Sequence, residues 1–238
     1  MSESILSSST GVITREELAR IVPPVGTATH RPVPHIELVN ALVASLKFRH
    51  IAPVREEYAV STDGMRMFGV LDLETGFAGC RFSIGLRNAN DKSMRLALTV
   101  GYRVFVCDNM AFVGDFTPVL HKHTKNFDLV DSLSVGVDRI QRNFEPLVKQ
   151  VETWQGRQIT NDFARLVIYE AFVEGKLDAP RHLDRTVHAR YMDPQFEEFA
   201  PRTMWSLSNA FTTSFKEADP IPRFRATAAL GPFLERYQ

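Results

Sequence analysis

Apolar and polar residues alternate through the middle of the chain and then give way to three- and four-residue spacing. Cys80, Phe82, Ile84 and Leu86 alternate with Arg81, Ser83, Gly85 and Arg87, and Met94, Leu96, Leu98, Val100, Tyr102, Val104 and Val106 alternate with Arg95, Ala97, Thr99, Gly101 and Arg103. A period of two predicts strands with one buried face. Val54, Tyr58 and Val60 begin the same pattern, and Met65, Met67, Leu71 and Leu73 continue it, with turns at STDG (61–64) and ETG (74–76). NANDKS (88–93) then joins the last two strands as a hairpin with a polar tip. A strand over 94–106 is long, so a bulge or bend is expected at Gly101.

Helical spacing flanks this region. Ile36, Val39, Leu42, Val43 and Leu46 predict an amphipathic helix. Val130, Leu133, Val137, Ile140, Phe144, Leu147, Val151 and Trp154 carry the three-four pattern further, and Pro146 predicts a kink or two helices meeting near Glu145. Thr160 caps a helix that Gly175 stops, and others are expected at about 181–192, 203–217 and 223–236. Near the start, Thr14 and Glu17 have capping-box spacing, and Pro23, Pro24, Pro32 and Pro34 predict an extended linker. The reading is α+β: an antiparallel sheet of about four to six strands over residues 50–120, packed by an N-terminal helix and a helical C-terminal half. Residues 1–34 form a flexible segment with a short helix and a Pro-rich linker. Residues 35–238 form a single domain, sheet-rich over 35–125 and helical over 126–238.

Lysine plus arginine, 28, equals aspartate plus glutamate, 28, so an electrostatic site must come from local clustering. Cys80 and Cys107 lack metal or redox spacing and fit a reducing cytosol. No run of about 18 apolar residues suggests a membrane span, and the expectation is a cytoplasmic protein with no membrane partner. Glycine-rich phosphate loops, a nucleophile elbow, a paired-histidine zinc helix and cysteine pairs are all missing from the sequence, so no cofactor is expected.

Three clusters carry candidate chemistry. Arg66, Arg81, Arg87, Arg95 and Arg103 share the parity opposite the apolar one, and guanidinium groups on one sheet face suit a phosphate backbone, with Phe68 and Phe105 placed to stack on bases; an ordinary solvated face with cross-strand ion pairs, its phenylalanines packed under a helix, accounts for the same residues. The hairpin tip offers Asn88, Asn90, Asp91, Lys92 and Ser93, with Cys107, Asp108 and Asn109 at the far end of the long strand. Turn formation alone accounts for the tip, while lysine with serine also suits an anion. In HKHT, Lys122 lies between His121 and His123, with Asp115 upstream. A basic loop able to touch phosphate is favoured there over a metal site made from Asp115, His121 and His123.

GLRNANDKSMRLALTVGYRVFVCDNMAF, followed downstream by MWSLSNAFT, resembles the phage/plasmid-like family of unknown function (domain of unknown function 932) over roughly residues 37–216. Asn88, Asp91, Cys107, Asn109, Trp205, Asn209 and Ala210 fit its ordered motifs. Ala89 and Asn90 stand where the pattern has serine and histidine. Because an amide does not titrate, that departure argues against acid-base catalysis through this position. The resemblance implies an association with mobile elements and their DNA transactions, and the element order is also similar in fold to single-strand annealing proteins. The leading expectation is a non-enzymatic protein that holds single-stranded nucleic acid on the arginine face and the HKHT loop, in a form that also allows a homo-oligomer. One alternative is a metal-dependent phosphoester hydrolase built on Asp91, Asp108, Asp115, His121 and His123. The other is a protein-interaction module.

Overall fold

The computed structural model describes residues 12–77, 79–104, 110–112, 119–124, 128–218 and 220–237. In chain order the elements are β1 (Val12–Ile13), α1 (Arg15–Leu18), α2 (His35–Phe48), β2 (Pro53–Val60), β3 (Arg66–Phe77), β4 (Cys80–Ala89), β5 (Leu96–Val104), β6 (Met110–Phe112) and β7 (Val119–His121), followed by α3 (Leu129–Arg142), α4 (Phe144–Gly156), α5 (Asn161–Phe172), α6 (Asp184–Met192), α7 (Met204–Phe215) and α8 (Pro220–Glu235). Four long strands, β2 to β5, and three short ones pair in the order β1-β2-β3-β4-β5-β6, with β7 on β5. The β1–β2, β2–β3 and β5–β7 pairs are antiparallel. The fold is α+β, as the alternation followed by helical spacing requires.

The chain divides into two compact units: residues 1–76, 81–101 and 116–144 form the first, and 77–80, 102–115 and 145–238 the second. One boundary falls immediately after Gly101, inside β5.

In the first unit, the register sets Tyr58 opposite Gly69. A Cβ at Gly69 would come within 2.9 Å of the Tyr58 ring and 3.0 Å of Leu86, so only glycine admits that ring. Tyr58, Met67, Leu71, Leu73, Phe82, Ile84 and Leu86 are buried, as are Leu38, Val39, Leu42, Val43 and Leu46 of α2. Each such side chain contributes roughly 1.5–3 kcal/mol by leaving water. Arg49, just past α2, ties that helix to α3 by donating to Asp138 at 2.6 Å and to the Ser134 hydroxyl at 2.8 Å. Residues 12–34 belong to this unit. β1 pairs with β2, Leu18 is buried, and Arg15 bonds Glu56 at 2.9 Å, which in turn accepts from Tyr58. The apolar residue on a four-residue helix and the acid partner lie beyond what local proline content can reveal.

In the second unit, α7 is buried on nearly every side, with Phe211 stacked on Phe172 at 5.7 Å and tilted against Phe215 at 6.1 Å. Its polar residues bond back to preceding carbonyls: Asn209 Nδ2 to Trp205 O at 3.0 Å and Ser214 Oγ to Ala210 O at 2.8 Å. The Tyr102 ring lies 5.7 Å from Trp205. Arg202 donates to the carbonyls of Tyr191 and Met192 at the end of α6, groups that no helical N–H can reach. Helix α4 begins at Phe144, and Pro146 occupies its first turn, where a missing N–H breaks no helical bond. That is why the long periodicity divides into two helices.

Candidate functional site

The tip between β4 and β5 is shaped by its own short polar side chains. Asp91 Oδ1 accepts from the Ser93 N–H at 2.9 Å and from the Ser93 hydroxyl at 2.5 Å, a turn that aspartate makes with the residue two ahead. Asp91 Oδ2 lies 3.5 Å from Arg66 Nε. Partial burial alone would raise the Asp91 carboxyl, yet the Ser93 hydroxyl and N–H, with the Arg66 guanidinium, hold it below the usual carboxylate range. Between these two residues Lys92 has φ 66°, the left-handed region, which costs a non-glycine residue of order 1 kcal/mol.

Below the tip, Asn88 and Asn90 face inward. Asn90 Oδ1 accepts from the Val33 N–H and its Nδ2 donates to the Val33 carbonyl, both at 3.0 Å. Asn88 Nδ2 donates to the same carbonyl at 2.8 Å and lies 2.9 Å from His35 Nδ1, while His35 Nε2 lies 3.0 Å from the Gly64 carbonyl. Asn88 near the end of β4 and Asn90 just past it thus fasten the proline-bounded segment before α2 by its main chain. Pro32 and Pro34 leave Val33 as the residue there with an N–H to offer.

The fastened segment brings His30 against the stretch after β7. His30 bridges Thr124, and its ring lies parallel to His123, with centroids 5.6 Å apart and 5° between planes. His30 Nδ1 faces the His123 carbonyl at 3.0 Å and Nε2 faces the Asn90 carbonyl at 3.2 Å. A neutral imidazole carries one N–H and bonds one of these oxygens, whereas a doubly protonated ring bonds both. Burial, together with the nearby charges of His30 and His35, pushes His123 down to about 4, so that ring is neutral near pH 7.

Around this pair lies a pocket of about 410 Å³. Its floor is Ala89 and the two histidines, His30 8% and His123 5% exposed. Its rim carries exposed Lys92 and Arg95 from the hairpin and Lys122 from the HKHT stretch. No acid among the described residues lines it, and Asp91 at the hairpin tip is engaged by Ser93 and Arg66. The pocket therefore presents three cationic groups on one small concavity, which favours an anion.

The structure brings together Lys92, Arg95 and Lys122, taken from three separate sequence clusters, and it does not assemble the arginine face. Arg103 is 4% exposed inside β5, where every residue is buried and both faces are covered. Arg66, Arg81 and Arg87 are half-buried, Arg66 beside Asp91 and Arg87 donating to the Arg95 carbonyl at 3.3 Å. Part of the parity opposite the apolar one is taken up by internal polar pairs: Ser83 donates to Asp72 at 2.6 Å, and Arg55 pairs with Glu57 at 2.6 Å. Asn88 and Asn90 are internal fasteners rather than groups at the tip, and His123 is buried rather than part of an exposed loop. Phe105, Cys107, Asp108, Asn109 and Asp115 lie outside the described residues, as does the side chain of His121. Among the described residues no group of three or more His, Cys, Asp or Glu is placed to hold a metal. His30 escaped the sequence reading because its partners are backbone carbonyls 60 and 93 residues away. The flanking prolines were its one local signal.

A model of the family described as "domain of unknown function (DUF932)" matches residues 31–229. Neither a curated protein nor a solved structure matches the chain.

Proposed function

Because the chain belongs to this family of unknown function, whose description names no reaction, we propose from the site that the protein is a non-enzymatic binder of single-stranded nucleic acid. The hairpin-tip pocket holds the strand's phosphate. The observation that carries this reading is the convergence of Lys92, Arg95 and Lys122 on one concavity. None of the three forms an ion pair among the described residues. Cations spent on ion pairs gain little from a phosphate, whereas free ones release counterions from the strand when they bind. The association with mobile elements that the resemblance implies fits a protein that handles exposed strands. No helix among the described residues is long and apolar enough to cross a membrane.

Fluorescence anisotropy with a labelled single-stranded oligonucleotide tests the reading. With three phosphates neutralised, log affinity falls with log salt at a slope of about −2, so binding weakens roughly 15-fold between 50 and 200 mM salt. An oligonucleotide that does not bind at the lower salt contradicts it.

A further inference from the structure

We propose that the hairpin-tip pocket is a single-nucleotide subsite, taking one unstacked nucleotide with its phosphate on Lys92, Arg95 and Lys122 and its base against His30, His123 and Met94. This deepens the strand-binding reading and rests on it.

Three features of the site carry the inference. Its volume of about 410 Å³ lies within the range of roughly 300–1,000 Å³ that encloses a small-molecule ligand, and is enough for one nucleotide. Its chemistry is divided: the cations are exposed, whereas the two histidines that line it are nearly buried, their rings parallel to each other. A nucleotide is divided the same way, an anion at one end and a planar ring at the other. Finally, His123 is neutral near pH 7, so the floor offers a ring that stacks without demanding a second anion. A bare phosphate would leave that floor unused.

The geometry also sets selectivity. A base paired in a duplex is stacked on both sides and reaches such a floor only after extrusion, which costs a few kcal/mol. The subsite therefore favours single strands without reading their sequence. Met94, partly exposed and lining the pocket, is the side chain whose enlargement fills the floor and leaves all three cations in place.

The experiment uses the full chain with a labelled single-stranded oligonucleotide, competed by a nucleoside 5′-monophosphate, ribose 5-phosphate or inorganic phosphate, and compared with a duplex of the same sequence. The nucleotide should displace the probe at a concentration at least tenfold lower than ribose 5-phosphate or phosphate does, and the duplex should bind at least tenfold more weakly. Met94→Trp should remove the advantage of the nucleotide while retaining salt-sensitive binding. Thr29→Trp, on another wall of the pocket, makes the same test if the first variant melts early. Equal competition by ribose 5-phosphate, or equal binding of the duplex, overturns the subsite and leaves strand binding standing. A probe that fails to bind at all overturns the strand-binding reading itself.

Discussion

Asn88 and Asn90, at the end of β4 and just past it, and Asn209 of α7 are all buried, yet the bonds they make differ in reach. Asn90 spans 57 residues to bond both the N–H and the carbonyl of Val33. Asn209 reaches four residues back to the Trp205 carbonyl within its own helix. The first kind of contact fixes where one chain segment lies on another. The second ties the amide to the main chain of its own helix. A buried polar residue thus marks tertiary organisation when its partner is remote and main-chain, and mere local satisfaction when it lies one helical turn away. In the first unit the remote bonds place His30 beside His123, and that placement forms the floor of the pocket.

The comparison fails if the two kinds of asparagine cost the same to remove. Asn90→Ala leaves two buried backbone groups of Val33 without this partner, and should lower stability by about 2–4 kcal/mol in denaturant unfolding. Acidification should act next, through the first unit's histidines. The folded chain keeps His123 neutral down to about pH 4, whereas an unfolded histidine takes up its proton near 6.5. Between those values the unfolded state binds more protons, so stability falls as pH drops from 6.5 towards 4. His35, lowered by burial against its bond to Gly64, acts in the same direction. The melting temperature should decline through this window, and His123→Asn should flatten the decline.

Asn209→Ala should cost less, about 1 kcal/mol, because its amide bonds a carbonyl within its own helix. Lys92→Gly should change stability least and slightly upward, by at most about 1 kcal/mol, since glycine accepts φ 66° without the steric penalty. The same substitution should weaken oligonucleotide binding several-fold. A stable variant with weakened binding separates the rim of the pocket from its scaffold.

What the sequence made legible follows from the range of each interaction. Alternation at Cys80–Leu86 and the three-four spacing from Val130 to Trp154 are local, so strands and helices could be placed closely, including the break set by Pro146. Alternation also led to error, because it distinguishes two faces without saying that the second is bare. In the first unit Ser83 and Asp72 are buried there and bond each other across neighbouring strands, a pairing that spacing does not give. Lys92, Arg95 and Lys122 were each visible as candidates, but their meeting depends on β7 pairing with β5, Leu96 opposite His121. That register brings residue 122 near residue 95, and no periodicity contains it. The role of His30 rests on carbonyls, which carry no sequence signature.

The decisive measurement compares two variants in one anisotropy titration with single-stranded oligonucleotide: Lys92→Gly/Arg95→Gln/Lys122→Gln at the pocket, and Arg81→Gln/Arg87→Gln on the half-buried sheet face. The pocket variant should lose at least tenfold in affinity and most of its salt dependence, and the sheet variant less than threefold. The reverse order would return the site to the arginine face and contradict the pocket.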